Sequence, residues 1–126
     1  MSLRTPLGKV RGLGSAKDGT HHWWVQRVTA VALVPLSIWL VASLIGLVGA
    51  DYETARAWVQ QPLVAVLLIL FVAVALYHLK LGLQVVVEDY VHHEGYKIAT
   101  LLAVSFVCVL VAAVTIFAIL KVAFQG

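Results

Sequence analysis

The sequence predicts an all-α membrane protein with three transmembrane helices. Of its 126 residues, 62% are hydrophobic and only 12% are charged, whereas soluble domains usually carry about 25% charged residues. Three apolar stretches lie at about residues 28–48, 62–87 and 98–124. Each is long enough to cross a bilayer, which takes about 20 helical residues. A soluble protein of this length could not bury so much apolar surface, so we expect lipid to cover it.

The first helix is expected to follow a polar tail. Residues 1–19 are rich in glycine, lysine and arginine and have no apolar core like that of a secretory signal. We therefore predict a tail at 1–19 and a single transmembrane domain at 20–126. Thr20 is a candidate N-cap for a helix that starts at His21, and Trp23 and Trp24 would then lie at headgroup level. Pro35 is expected to kink this helix.

The second and third helices have simpler boundaries. Pro62 suits the first turn of the second helix, where its missing N–H leaves no bond unmade. Gly95 is expected in the turn between the second and third helices. The third helix contains no recognisable motif.

The distribution of basic residues predicts the orientation. Four lie in the tail and Arg27 lies at the membrane edge, whereas the first loop, residues 49–61, holds only Arg56. By the positive-inside rule the N-terminus is cytoplasmic and the C-terminus periplasmic, in a bacterial inner membrane. A net charge of +3 gives no indication of nucleic-acid binding. The single cysteine, Cys108, excludes an internal disulfide and a paired-cysteine metal site.

One narrow face of the second helix carries the most informative residues. At 100° per residue, His78, Gly82, Val85 and Asp89 fall on one stripe. A histidine deep in the membrane needs a partner. The partner could be a hydrogen-bonding group on another helix. It could also be a metal ion or a haem iron, which neutral imidazole commonly binds. Gly82 could leave room for a flat macrocycle or serve helix packing.

Four further polar residues each allow two interpretations. Lys80 lies off the stripe and either snorkels to the headgroups or meets an acid of a neighbouring subunit. Asp89 and Tyr90 are either interfacial residues or hydrogen-bond partners of a quinone headgroup. Arg27 is either a positive-inside anchor or a clamp for an anionic group such as a haem propionate.

Two motifs resemble a known family. The pattern H-x3-G-x6-D-Y, formed by His78, Gly82, Asp89 and Tyr90, is similar to the signature of the small D-type hydrophobic membrane-anchor subunit of succinate dehydrogenase, respiratory complex II. The segment GTHHWWVQR resembles the start of the first helix in the same subunit. Lys80, and the acid Glu88 beside Asp89, are departures from the pattern.

The resemblance implies roles for individual residues. His78 would be an axial ligand to the iron of haem b, whose other ligand comes from the companion C-type cytochrome b anchor subunit, with Gly82 packing against the haem. Tyr90 would hydrogen-bond ubiquinone, supported by Asp89. Arg27 and His21 would lie near the haem propionates. FAD and the iron–sulfur clusters would belong to the flavoprotein and iron–sulfur subunits.

The resemblance therefore implies an anchor for succinate:ubiquinone oxidoreductase, with no catalytic residue and no independent activity of its own. Two alternatives remain at this level: a structural anchor without a cofactor, and a proton-conducting subunit of another respiratory complex that uses His78, Lys80 and Asp89 as a relay. A relay needs polar residues on facing helices, and the first and third spans offer mainly a few hydroxyl side chains: Ser37, Ser43, Ser105 and Thr115.

Overall fold

Four helices account for nearly all of the described chain. The computed structural model describes residues 6–7 and 16–125. The helices are α1 (Ala16–Gly46), α2 (Tyr52–Gln60), α3 (Pro62–Tyr90) and α4 (Glu94–Phe124). The first, third and fourth are long and apolar enough to cross a membrane, which confirms the predicted all-α class with three spans. The sidedness of the termini stays a prediction.

Several helix boundaries differ from those expected. Helix α1 begins at Ala16, so Thr20 lies inside it and the predicted cap at that residue is wrong. Gly95 lies in the first turn of α4, whose N-cap is His93, so its predicted place in the preceding turn is also wrong. Pro62 does occupy the first turn of α3, as expected. Pro35 lies within α1.

Helix α2 was not predicted and occupies most of the expected first loop. Its N-cap is Asp51, whose carboxylate accepts a hydrogen bond from the Thr54 amide at 2.9 Å. Glu53 pairs with Arg56 one turn later, at 3.6 Å. Hydrogen bonds from Thr54, the side chain first and then the backbone, hold the pKa of the Asp51 carboxyl below its usual value of 3.8. A charged cap therefore starts this short helix.

Helix α3 is the centre of the bundle. It packs against α1 on one side and α4 on the other, and within the described chain no Cα of α1 lies within 8 Å of α4. The three long helices thus form a row rather than a closed triangle. We call the end where α1 begins, α3 ends and α4 begins the Tyr90 end, and the opposite end the α2 end.

Helix α2 connects the outer helices at the α2 end. The Trp58 ring stacks on the Trp39 ring of α1, with centroids 5.9 Å apart. The Gln60 amide donates to the Val122 carbonyl at 3.3 Å and to the Gln125 carbonyl. These carbonyls lie at the C-terminal end of α4, where few backbone N–H groups remain to bond them, and the Val122 carbonyl also accepts from the Gln125 amide of the C-cap at 3.3 Å. Helix α2 therefore links α1 to the end of α4 at the α2 end.

The buried core is small. Among the described hydrophobic residues only Val64, Ala65, Leu81, Val87 and Cys108 are buried. Large apolar side chains are exposed along both outer helices, for example Val31 at 73% and Phe106 at 71%. A bilayer or a partner must cover such surfaces, which agrees with three membrane spans.

Replacing the cap of α2 should loosen that helix without affecting the spans. We expect Asp51→Ala to increase hydrogen exchange at the Thr54 amide, because that N–H loses its acceptor. Since the folded pKa is lowered, the cap's stabilisation is present at pH values above 3.8 and is lost as pH falls through the lower folded value. Glu53→Ala is the control, since Glu53 is 73% exposed and its side chain pairs with Arg56 rather than with the Thr54 amide. Equal exchange in the two variants would contradict the capping role.

Candidate functional site

Two matching stripes of side chains face each other across α1 and α3. On α1 the stripe is His22, Gln26 and Thr29, and on α3 it is His78, Gly82 and Val85. Both follow the spacing i, i+4, i+7, which lies on one face of a helix. The helices run antiparallel, so Thr29 lies opposite His78 and Gln26 lies opposite Gly82. Three of the four residues of the predicted α3 stripe therefore face α1.

The Thr29 hydroxyl joins the two stripes and lies within hydrogen-bond distance of three atoms. The Thr29 hydroxyl lies 2.8 Å from His78 Nδ1, 2.8 Å from the Val25 carbonyl and 3.0 Å from the Gln26 carbonyl. Thr29 is buried, at 9% exposure, and His78 is half-buried. The histidine thus has the interhelical partner that a polar group at this depth needs.

A groove of about 530 Å³ opens beside this contact, toward the Tyr90 end. Its α3 wall includes Gly82, where an added Cβ would meet only Gln26 Nε2, at 3.9 Å. The missing side chain therefore leaves open space one helical turn from His78, which does not itself line the groove. The complete lining is Gly19, His22, Trp23, Gln26, Arg27, Gly82 and Val85.

Two buried polar atoms in the groove have no partner among the described residues. His22 Nε2 and Gln26 Oε1 are buried and make no hydrogen bond to any described residue. Native proteins rarely leave such atoms unpaired, so each indicates a missing ligand, water or partner. The Arg27 guanidinium lies 5.5 Å from the centre of the Trp23 ring, a cation–π arrangement that holds it at the groove's edge.

The two adjacent histidines of α1 have different positions. His22 lines the groove, whereas the predicted candidate His21 is exposed and is not among the lining residues. One residue along a helix turns a side chain by about 100°, so neighbours cannot both face α3. Arg27, the other predicted residue on α1, does line the groove.

Asp89 and Tyr90 lie together at the end of α3. Both are exposed, Tyr90 at 78%, and neither side chain has a hydrogen bond within the described chain. The adjacent acid Glu88 instead accepts from the Gln84 amide at 3.0 Å. Of the two neighbouring carboxylates, Asp89 is thus the one without a hydrogen-bond partner in the described chain, whereas Glu88 is exposed but already accepts one bond.

Lys80 lies on a different face from His78. It lines a recess between α3 and α4 together with Gln84 and Ser105, away from the α1 groove. No ion pair to Lys80 is found among the described residues. His92 and His93 are exposed in the connection to α4, and His93 accepts from the Tyr96 amide as the helix cap.

The sequence interpretation missed Thr29, Gln26 and His22. Thr29 lies inside the predicted first span, yet it was not among the polar residues considered there. A usable signal existed, because these residues repeat the i, i+4, i+7 spacing of the α3 stripe. What the sequence does not contain is the rotation of α1 that turns this face toward His78.

Comparisons with known proteins give a consistent result. Residues 1–112 match the family model described as succinate dehydrogenase/fumarate reductase transmembrane subunit. A hydrophobic membrane anchor subunit of succinate dehydrogenase from Rickettsia bellii is 34% identical over 117 residues, covering 93% of this chain and 94% of that protein. The one from Paracoccus denitrificans is 33% identical over 113 residues, covering 90% and 88%. No solved structure gives a significant match.

These bacterial relatives and the three candidate spans indicate a multi-pass protein of a bacterial inner membrane. The chain belongs to the succinate dehydrogenase/fumarate reductase transmembrane subunit family, and within it to the hydrophobic membrane anchor subunits of succinate dehydrogenase.

Proposed function

We propose that this chain anchors the catalytic subunits of succinate:ubiquinone oxidoreductase, supplies one axial ligand to haem b and contributes to the ubiquinone site. The observation that carries the proposal is the groove between α1 and α3, which has a glycine wall and unpaired polar atoms and lies one helical turn from the Thr29–His78 contact. Succinate oxidation is assigned to the flavoprotein and iron–sulfur subunits. The single cysteine of the chain cannot supply the four ligands of an iron–sulfur cluster.

The residues around the groove fit a haem. His78 offers an imidazole nitrogen, the usual protein ligand of haem iron. Gly82 leaves space one helical turn from it for a flat group. Arg27, with the unpaired His22 Nε2, would hold the anionic propionates. When bound there, haem supplies a one-electron redox centre inside the membrane.

A second histidine ligand to the proposed haem would come from another chain. His22 lies on the same face of α1 as Thr29 but seven residues away, which is about 10 Å along the helix axis. It therefore lies too far from the His78 level to share one iron. His92 and His93 lie beyond the end of α3. The companion C-type anchor subunit is the proposed source, and the exposed apolar faces give it surface to pack on.

Tyr90 and Asp89 form this chain's part of the quinone site. The Tyr90 phenol is exposed at the membrane end of α3 and free to donate to a quinone carbonyl arriving from the bilayer. Such a donor stabilises negative charge that develops on the carbonyl oxygen during reduction. Asp89 would fix a nearby cation, such as an arginine of the companion subunit.

Removing the proposed ligand should abolish the haem signal. We expect the purified complex carrying His78→Ala to lose the b-type band in a reduced-minus-oxidised spectrum. His92→Ala is the control, because that histidine is exposed in the α3–α4 connection. A band that persists in His78→Ala would exclude His78 as ligand. A wild-type complex without any band would instead support a structural anchor that has no cofactor.

Removing the phenol should separate the two half-reactions. We expect Tyr90→Phe to lower succinate-dependent quinone reduction by roughly tenfold, the value of one lost hydrogen bond to a developing charge. Succinate oxidation with a water-soluble artificial acceptor should be unchanged. Tyr96→Phe, another exposed tyrosine at the Tyr90 end, serves as control. If both activities fall together in Tyr90→Phe, the tyrosine has a structural role only.

A further inference from the structure

We infer that Thr29 is a positioning residue for His78: its hydroxyl selects the imidazole tautomer that carries its proton on Nδ1 and leaves the lone pair of Nε2 free for the iron. This inference rests on the proposed role of His78 as a haem ligand. It adds a residue on α1 that sets which ring nitrogen binds and how the ring is oriented.

The first step is a count of protons. A threonine hydroxyl has one proton and two acceptor lone pairs. Two of its three neighbours, the Val25 and Gln26 carbonyl oxygens at 2.8 and 3.0 Å, can only accept. The hydroxyl proton therefore goes to these carbonyls, the back-bonding that threonine commonly makes within helices.

The second step concerns the histidine. Because the hydroxyl proton is directed to the carbonyls, the 2.8 Å contact with His78 Nδ1 is favourable only if Nδ1–H donates to Thr29 Oγ1. If the hydroxyl instead donated its proton to Nδ1, its oxygen would face the two carbonyl oxygens with no proton between them. A neutral imidazole with its proton on Nδ1 has its lone pair on Nε2.

The third step concerns burial. Thr29 is 9% exposed and is buried between two helices, so water cannot readily replace it as the acceptor. Without the hydroxyl, Nδ1–H would be left unpaired, or the proton would shift to Nε2, where it would block coordination. A group that accepts a hydrogen bond from the non-ligating ring nitrogen orients a metal-binding histidine and raises its basicity. Losing such a group typically weakens metal binding about 10- to 100-fold.

The test uses two pairs of variants in the assembled complex. Thr29→Val is close in shape to threonine but lacks the hydroxyl, and Thr29→Ala differs from Thr29→Ser by the hydroxyl alone. The matched control is Thr115→Val, because the Thr115 hydroxyl also donates to the carbonyl four residues earlier, at 2.7 Å, but meets no histidine. The readouts are haem content per complex, the low-temperature EPR spectrum of the oxidised haem and its midpoint potential.

We expect both variants without a hydroxyl to shift the EPR signal, raise the midpoint potential and retain haem about tenfold less well. The potential rises because an imidazole without an acceptor at Nδ1 is a weaker electron donor to oxidised iron. Thr29→Ser and Thr115→Val should match the wild type. If Thr29→Val fails to assemble, the alanine and serine variants still make the comparison.

Two results would overturn the inference. In one, neither hydroxyl-free variant changes the EPR signal or the potential; in the other, Thr29→Ser behaves like Thr29→Ala, which would assign the effect to packing. The His78→Ala complex shows whether such a result contradicts only the role of Thr29 or also the proposed haem ligand. If that complex loses its haem while the threonine variants are normal, His78 is the ligand and Thr29 is not its positioning residue. If it keeps its haem, both proposals fail.

Discussion

The contact between α1 and α3 is the constraint on which the rest of the structure depends. Helices in lipid gain little from apolar burial, because lipid tails are as apolar as leucine, so close packing and hydrogen bonds decide how they associate. Here a histidine that must be paired meets a buried threonine. That bond pairs Thr29 with His78 in an antiparallel register that also places Gln26 opposite Gly82. The groove follows from this register.

The row of helices explains why the chain is suited to be one part of a larger assembly. With α3 in the centre and α1 and α4 apart, the proposed site is walled on two sides and open on others. Its buried polar atoms without a partner in the described chain are features that an isolated membrane protein would rarely keep. Such features are expected in a subunit of a membrane complex, because other chains can close the site and supply the missing hydrogen-bond partners.

Helix α3 carries different chemistry at different depths and on different faces. His78 and Tyr90 are about 18 Å apart along the axis, so the haem proposed inside the membrane and the quinone headgroup proposed near its surface would be served by one rigid helix. Lys80 lies on the face toward α4, with Gln84 and Ser105. This separation keeps the cation out of the α1 groove and argues against a single relay through His78 and Lys80.

The sequence by itself determined the three membrane spans, because their length and apolar content leave no other solvent than lipid. It also determined the α3 face that carries His78 and Gly82, since spacing along one helix is enough to define a face. Only the tertiary structure decided that His22 rather than His21 lines the groove, that Thr29 is the partner of His78, and that Asp51 starts a fourth helix that ties the outer spans together. The physical reason is that pairing across helices depends on their relative rotation and register, and one residue of shift turns a side chain by about 100°.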